Sequence, residues 1–137
     1  MGSLLSSLVG GGEAADASDS TLEGSGVSVF HSSERWTLHF NASKESNQLM
    51  VIDFAATWCG PCKFMEPAVK SMASKYTDVD FVKIDVDELS DVAQEFAVQA
   101  MPTFVLLKKG KELERVIGAK KDELEKKIQK HRAVSNA

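Results

Sequence analysis

Cysteine is scarce in this 137-residue chain, which carries two, at positions 59 and 62. So low a count excludes a secreted scaffold stapled by several disulfides. Zinc binding fares no better, because a structural site normally takes four ligands and His31, His39 and His131 lack the usual spacing. Lys and Arg are absent before Arg35, and residues 1–12 show neither the basic n-region nor the long apolar core of a secretory signal. A typical mitochondrial presequence is disfavoured for the same reason, and a reducing intracellular compartment is expected. No apolar run approaches the roughly 18 residues that span a bilayer. Net charge is −4 with a pI near 5.4, and no basic stripe appears, so a nucleic-acid binder's electrostatic footprint is missing. Internal repeats are missing too.

What remains is an ordinary single-core composition, 43% apolar, in two unequal parts. Residues 1–26 are rich in Gly, Ser, Ala and acidic side chains and hold no aromatic, the composition of a flexible extension. Its start, Met1-Gly2-Ser3-Leu4-Leu5-Ser6, fits the M-G-x-x-x-[ST] pattern for myristoylation of Gly2. One acyl chain gives only marginal, reversible membrane binding, and Glu13, Asp16, Asp19 and Glu23 would be repelled by an anionic leaflet. A domain over 27–134 and a short tail at 135–137 follow.

Within that domain the apolar pattern alternates between strand and helix periods. Val27–Phe30 reads as an edge strand and 33–43 as a helix carrying Trp36 and Phe40. The almost continuously apolar Leu49–Ala56 reads as a central strand, parallel to a neighbour and interrupted by Asp53. After Cys59 a helix places Met65, Val69, Met72 and Tyr76 on one stripe, with Pro61 tolerated in its first turn and Pro67 expected to kink it. Phe81–Asp87 alternates as a strand, and 90–97 forms a short helix. Thr103–Leu107 and Glu112–Ile117 are two strands of a hairpin around a polar turn at 108–111, and a last helix starts near Lys121 with Leu124 and Ile128 inward. Asp122/Lys126 and Glu123/Lys127 are expected as i,i+4 pairs on its outer face. This order implies an α/β fold, a central mixed β-sheet with helices on both faces.

The chemistry converges on Trp58-Cys59-Gly60-Pro61-Cys62, a strand-to-helix junction. A C-x-x-C pair at such a junction reads as a dithiol redox site. Cys59, ahead of the helix, faces unpaired N–H groups and the positive end of the dipole, which favours a thiolate, so it is the expected nucleophile. Cys62, one turn further in and expected to be less exposed, would resolve the mixed disulfide. A pair of inert buried thiols is the bland alternative. Asp53 either works as a buried carboxylate or turns to solvent, Lys83 fits a plain surface position in an alternating strand, and Trp58 either lines a binding surface or packs in the core.

Asp53-Phe54-Ala55-Ala56-Thr57-Trp58-Cys59-Gly60-Pro61-Cys62-Lys63, with Met101-Pro102-Thr103 and Gly118-Ala119, resembles the thioredoxins. More narrowly, the chain is similar to the plant h-type thioredoxins with an N-terminal extension, from about Val27 to Val134. The resemblance implies the thioredoxin fold and a protein-disulfide reductase that works without a bound cofactor or metal. Its electrons would come indirectly from NADPH through thioredoxin reductase, or from glutathione and glutaredoxin, and its partners would be disulfide-containing target proteins. Asp53 is then buried behind the dithiol and moves protons to and from Cys62, with Lys83 as a tuner of that carboxylate. Gly60 and Pro61 are implied to tune the redox pair, and Pro61 supports a reductase, since thioredoxins carry Gly-Pro between the cysteines whereas disulfide isomerases usually carry Gly-His. The Met101–Pro102 bond is expected to be cis, and Trp58, Met101, Pro102, Gly118 and Ala119 join Gly60 and Pro61 in a shallow docking groove. The implied location is cytoplasmic, partly membrane-associated through Gly2, with mitochondria as an alternative, and a monomer is expected. Ala55 departs from the family pattern, where many members carry a bulky aromatic. The rival from another class is a binding protein that grips partners or holds unfolded chains, its thiols incidental.

Overall fold

The computed structural model describes residues 18–22 and 25–132. Gly2 and the tail at 135–137 lie outside these, as do most of the expected extension and the expected domain end at 134. Among the described residues ten elements follow one another: β1 (Ser20–Thr21), β2 (Val27–Phe30), α1 (Ser33–Ser43), β3 (Met50–Ala55), α2 (Gly60–Lys75), β4 (Asp80–Asp85), α3 (Ser90–Glu95), β5 (Thr103–Lys108), β6 (Lys111–Ile117) and α4 (Lys121–His131). The strands form one six-stranded sheet in the order β1-β2-β4-β3-β5-β6. β3 lies inside it, parallel to β4 and antiparallel to β5, so the expected mixed sheet is present.

Period-2 alternation along the strands divides the core between the two faces. Val51 of β3, Phe81 of β4, and Phe104 and Leu106 of β5 pack with Met65, Val69 and Met72 of α2 and with Leu124 and Ile128 of α4. Ile52, Phe54, Val82, Ile84 and Val105 point the other way, against Trp36 of α1 and Val92 of α3. This parity has a direct consequence for the site. Asp53 shares its face with Val51, and Lys83 shares its face with Phe81, so both project toward α2.

Local signals explain the element ends. Ser32 caps α1 by accepting the Arg35 N–H at 3.1 Å, an interaction worth about 1 kcal/mol. Pro67 stands inside α2 and leaves the Lys63 carbonyl without an i+4 donor. The hairpin is tighter than the sequence suggests. Lys108 pairs with Lys111 across a two-residue loop, and Lys109 and Gly110 take φ of 54° and 80°, the positive values that a I′-type turn requires.

Two expectations are corrected. The strand Val27–Phe30 is not at the sheet edge, because Ser20–Thr21 pairs with it antiparallel, which also puts the expected boundary at residue 26 inside a paired segment. Asp19 secures that segment by accepting the His31 N–H and pairing with Arg35 at 3.4 Å. On α4, Lys127 reaches Glu123 at 3.7 Å and, more closely, Glu114 of β6 at 3.0 Å, whereas no Asp122–Lys126 pair occurs among the described residues.

Candidate active site

The C-terminal end of β3 runs through Ala56 and Thr57 into α2, and this turn carries the two cysteines. Cys59 is the N-cap residue of α2, with extended backbone, and its sulfur accepts the Cys62 N–H at 3.1 Å. A sulfur placed there faces unpaired N–H groups and the positive end of a 16-residue helix, as the sequence leads one to expect. Cys59 and Cys62 are joined as a disulfide.

Their burial reverses the expectation. Cys59 is 4% exposed, whereas Cys62 is only half-buried. The cause lies in what surrounds each sulfur. The Cys59 sulfur lies 3.6 Å from the Met101 carbonyl oxygen, under the loop that carries the cis Met101–Pro102 bond. Cys62 instead borders an open cavity of about 260 Å³ beneath the first turns of α2.

Asp53 lines that cavity with Cys62, Lys63, Glu66, Lys83 and Asp85. Its side chain is buried, which removes the solvent-facing alternative, and its Oδ1 has no hydrogen-bond partner. Desolvation raises its pKa from 3.8 to about 7, opposed by the Lys83 ammonium and reinforced by the Glu66 carboxylate. Lys83 sits directly opposite Asp53 in the β3–β4 register. Its Nζ donates to Glu66 Oε2 at 3.4 Å, so Lys83 is drawn toward α2 rather than standing as a plain surface residue. A carboxyl that titrates near neutrality beside a redox sulfur can give or take a proton there.

The other candidates occupy the opposite flank of the dithiol. Trp58 is 67% exposed, so it does not pack in the core, and its Nε1 donates to Asp87 Oδ2 at 2.8 Å. Gly60 and Pro61 are exposed, Met101 is half-buried and Pro102 is buried. The Gly118 N–H donates to the Pro102 carbonyl at 2.8 Å, which fastens the half-buried Gly118 and the exposed Ala119 to the cis-proline loop. Gly118 needs to be glycine, since its φ is +104°. The predicted groove residues are therefore gathered on either side of Cys59.

Sequence reasoning passed over three neighbours. Glu66 lies four residues after Cys62, hence on the same helix face, and that spacing alone could have flagged it. Phe64, two residues after Cys62, is 72% exposed and lines a separate groove with Lys75, Lys121 and Glu125. Asp87 gave no local signal as the partner of Trp58. The histidines do not assemble with the thiols. His31 meets Glu88, His39 meets Asp80 and His131 meets Glu114, and no set of three metal-ligating side chains is placed to hold an ion among the described residues.

Comparison with known proteins places this geometry. Residues 29–130 match the family model described as Thioredoxin. Thioredoxin H2 of Arabidopsis thaliana is 64% identical over 133 residues, covering 97% of this chain and all of that protein. Thioredoxin H2-2 of rice, Oryza sativa subsp. japonica, is 59% identical over 74% of this chain and 77% of its own length. The crystal structure of a Nicotiana alata thioredoxin superposes with a TM-score of 0.80 at 75% identity, covering 83% of this chain and 99% of that one.

Proposed function

The chain belongs to the thioredoxin family, whose members are protein-disulfide oxidoreductases using the cysteine pair itself as the redox group, and on that premise we propose how its own residues divide the work. Cys59 attacks one sulfur of a target disulfide. The target S–S bond breaks, its electron pair leaves on the second target sulfur, which takes a proton, and a Cys59–target mixed disulfide forms. Asp53 then accepts the Cys62 proton through the cavity between them, and the Cys62 thiolate attacks the Cys59 sulfur. The bond to the target breaks, the departing target thiolate takes the proton held by Asp53, and the chain ends as the Cys59–Cys62 disulfide. Two electrons and two protons have passed to the target.

The observation that carries this reading is the asymmetry of the dithiol. The Cys59 sulfur caps α2 beneath the Met101 carbonyl, while Cys62 borders the cavity that holds an unpaired buried carboxyl. Trp58, Gly60, Pro61, Met101, Pro102, Gly118 and Ala119 would receive an extended target segment as an added strand along the Met101 backbone. Reduction of a protein disulfide by the Cys59→Ser and Cys62→Ser chains tests the assignment. Cys59→Ser abolishes turnover, and Cys62→Ser accumulates a target cross-linked at Cys59; turnover retained in Cys59→Ser overturns it.

Electrons return from NADPH through thioredoxin reductase or from glutathione and glutaredoxin, and which route operates is read by supplying each system alone. Gly2 carries the acylation pattern, so the protein works in the cytoplasm with a reversible membrane-bound fraction, with mitochondria as the alternative. The intact mass of the N-terminal peptide from a eukaryotic cell decides the membrane part; an unmodified Gly2 removes it.

A further inference from the structure

The cavity beside Cys62 contains a charge that the reductase chemistry does not use. Glu66 projects from α2 on the Cys62 face, and its Oε2 holds the Lys83 ammonium at 3.4 Å. Lys83 is the cation aligned with Asp53 across the β3–β4 register, and yet Asp53 Oδ1 is buried with no partner. The remaining groups facing Asp53 do not fill that role. From β4 comes Asp85, of the same sign as Asp53; from α2 come Cys62 and Lys63; and β5 presents Phe104 at the paired position. Lys63 is exposed, whereas Lys83 is partly buried.

We propose that Glu66 is a positioning residue for proton transfer at the dithiol: by engaging Lys83 from the helix side it keeps the ammonium off Asp53, so that the unpaired Asp53 carboxyl stays free to exchange a proton with Cys62. Without Glu66 the ammonium is released toward the nearest uncompensated carboxylate. Asp53 then ionises more readily and is a poorer proton carrier. Glu66 also acts directly as a like charge at the cavity wall, in the same direction. The carboxylate side chain one helical turn beyond the second cysteine thus sets the pH range over which the resolving step is assisted. The inference rests on the role given to Asp53 above, and the two are separable by experiment.

The test follows the Asp53 carboxyl directly, by its carbon chemical shift across a pH titration of the full reduced chain, together with the pH profile of release of a trapped target from Cys59. Glu66→Gln lowers the Asp53 midpoint by roughly half a unit to one unit, a three- to tenfold change in its ionisation constant, and moves the acid limb of the release profile with it. In a Lys83→Met background the same substitution produces a smaller shift, because the ammonium it would free is gone. A midpoint unmoved or raised by Glu66→Gln overturns the proposal, and so does a shift of equal size in both backgrounds. The Asp53→Asn chain separates the premise: a release profile unchanged by Asp53→Asn would remove Asp53 from the chemistry whatever Glu66 does to its titration.

Discussion

Replacing Asp53 by Asn should make this protein more stable at pH 8 and about 1 kcal/mol less stable at pH 4. Burial raises the carboxyl from 3.8 to about 7, so the folded state retains a proton that the unfolded chain has already lost across that window. The sign follows from linkage: for an acid whose folded pKa is raised, stability falls as pH climbs through the interval. The penalty is nil below about pH 4 and complete above about pH 7. Roughly three units, at about 1.4 kcal/mol each, make a cost of about 4 kcal/mol once the group is ionised. Asn escapes it at every pH, although its NH₂ group needs an acceptor in the same cavity, which takes back about 1 kcal/mol. The expected gain at pH 8 is about 3 kcal/mol, or a rise in Tm on the order of 10 °C for a domain of this size. Guanidinium unfolding of the oxidised protein at pH 4, 6 and 8 measures it, and groups that titrate equally in both chains cancel in the difference. A gain constant across pH would locate the effect in packing rather than in ionisation. A wild-type chain that is the more stable at pH 8 would refute the reasoning. The same substitution should slow the resolving step, a cost in activity accompanying the gain in stability.

Two further outcomes concern the opposite flank. Trp58→Ala removes an exposed ring anchored to Asp87 without touching the core, so it should raise KM for protein disulfides several-fold while thermal stability changes by about 0.5 kcal/mol or less; an unchanged KM would remove Trp58 from the docking surface. Gly118→Ala forces a side chain to φ +104° at the corner fastened to Pro102, and should cost about 1–3 kcal/mol of stability and weaken target docking, read by denaturant unfolding and by KM; a fully stable variant would show that the corner relaxes without strain.

Much of the site was legible because its signals are local. The two cysteines, their place before a helix, and Pro61 in its first turn depend on neighbours a few residues away, and capping rules read them directly. Asp53 was legible as an exception, a charge inside an apolar run. The fold class followed from the alternation of periods, and among the described elements only the two-residue β1 escaped, because a pair of small polar residues carries no period. Its place beside β2 comes from pairing rather than from pattern.

Residue order and composition thus determined which elements form, where the dithiol lies along the chain and which side chains could carry its chemistry, since helix, strand and cap preferences act over a few residues. Only the tertiary structure decided how those groups are poised. The cis-proline loop, more than forty positions after Cys59, covers that sulfur and leaves Cys62 open to the cavity. The β3–β4 register aligns Lys83 with Asp53, and a helix packed above them diverts the ammonium to Glu66, so that a carboxyl with a cation nearby still has no partner. Exposure, desolvation and ion pairing depend on what distant segments place around a group, and these fix its proton affinity and reactivity.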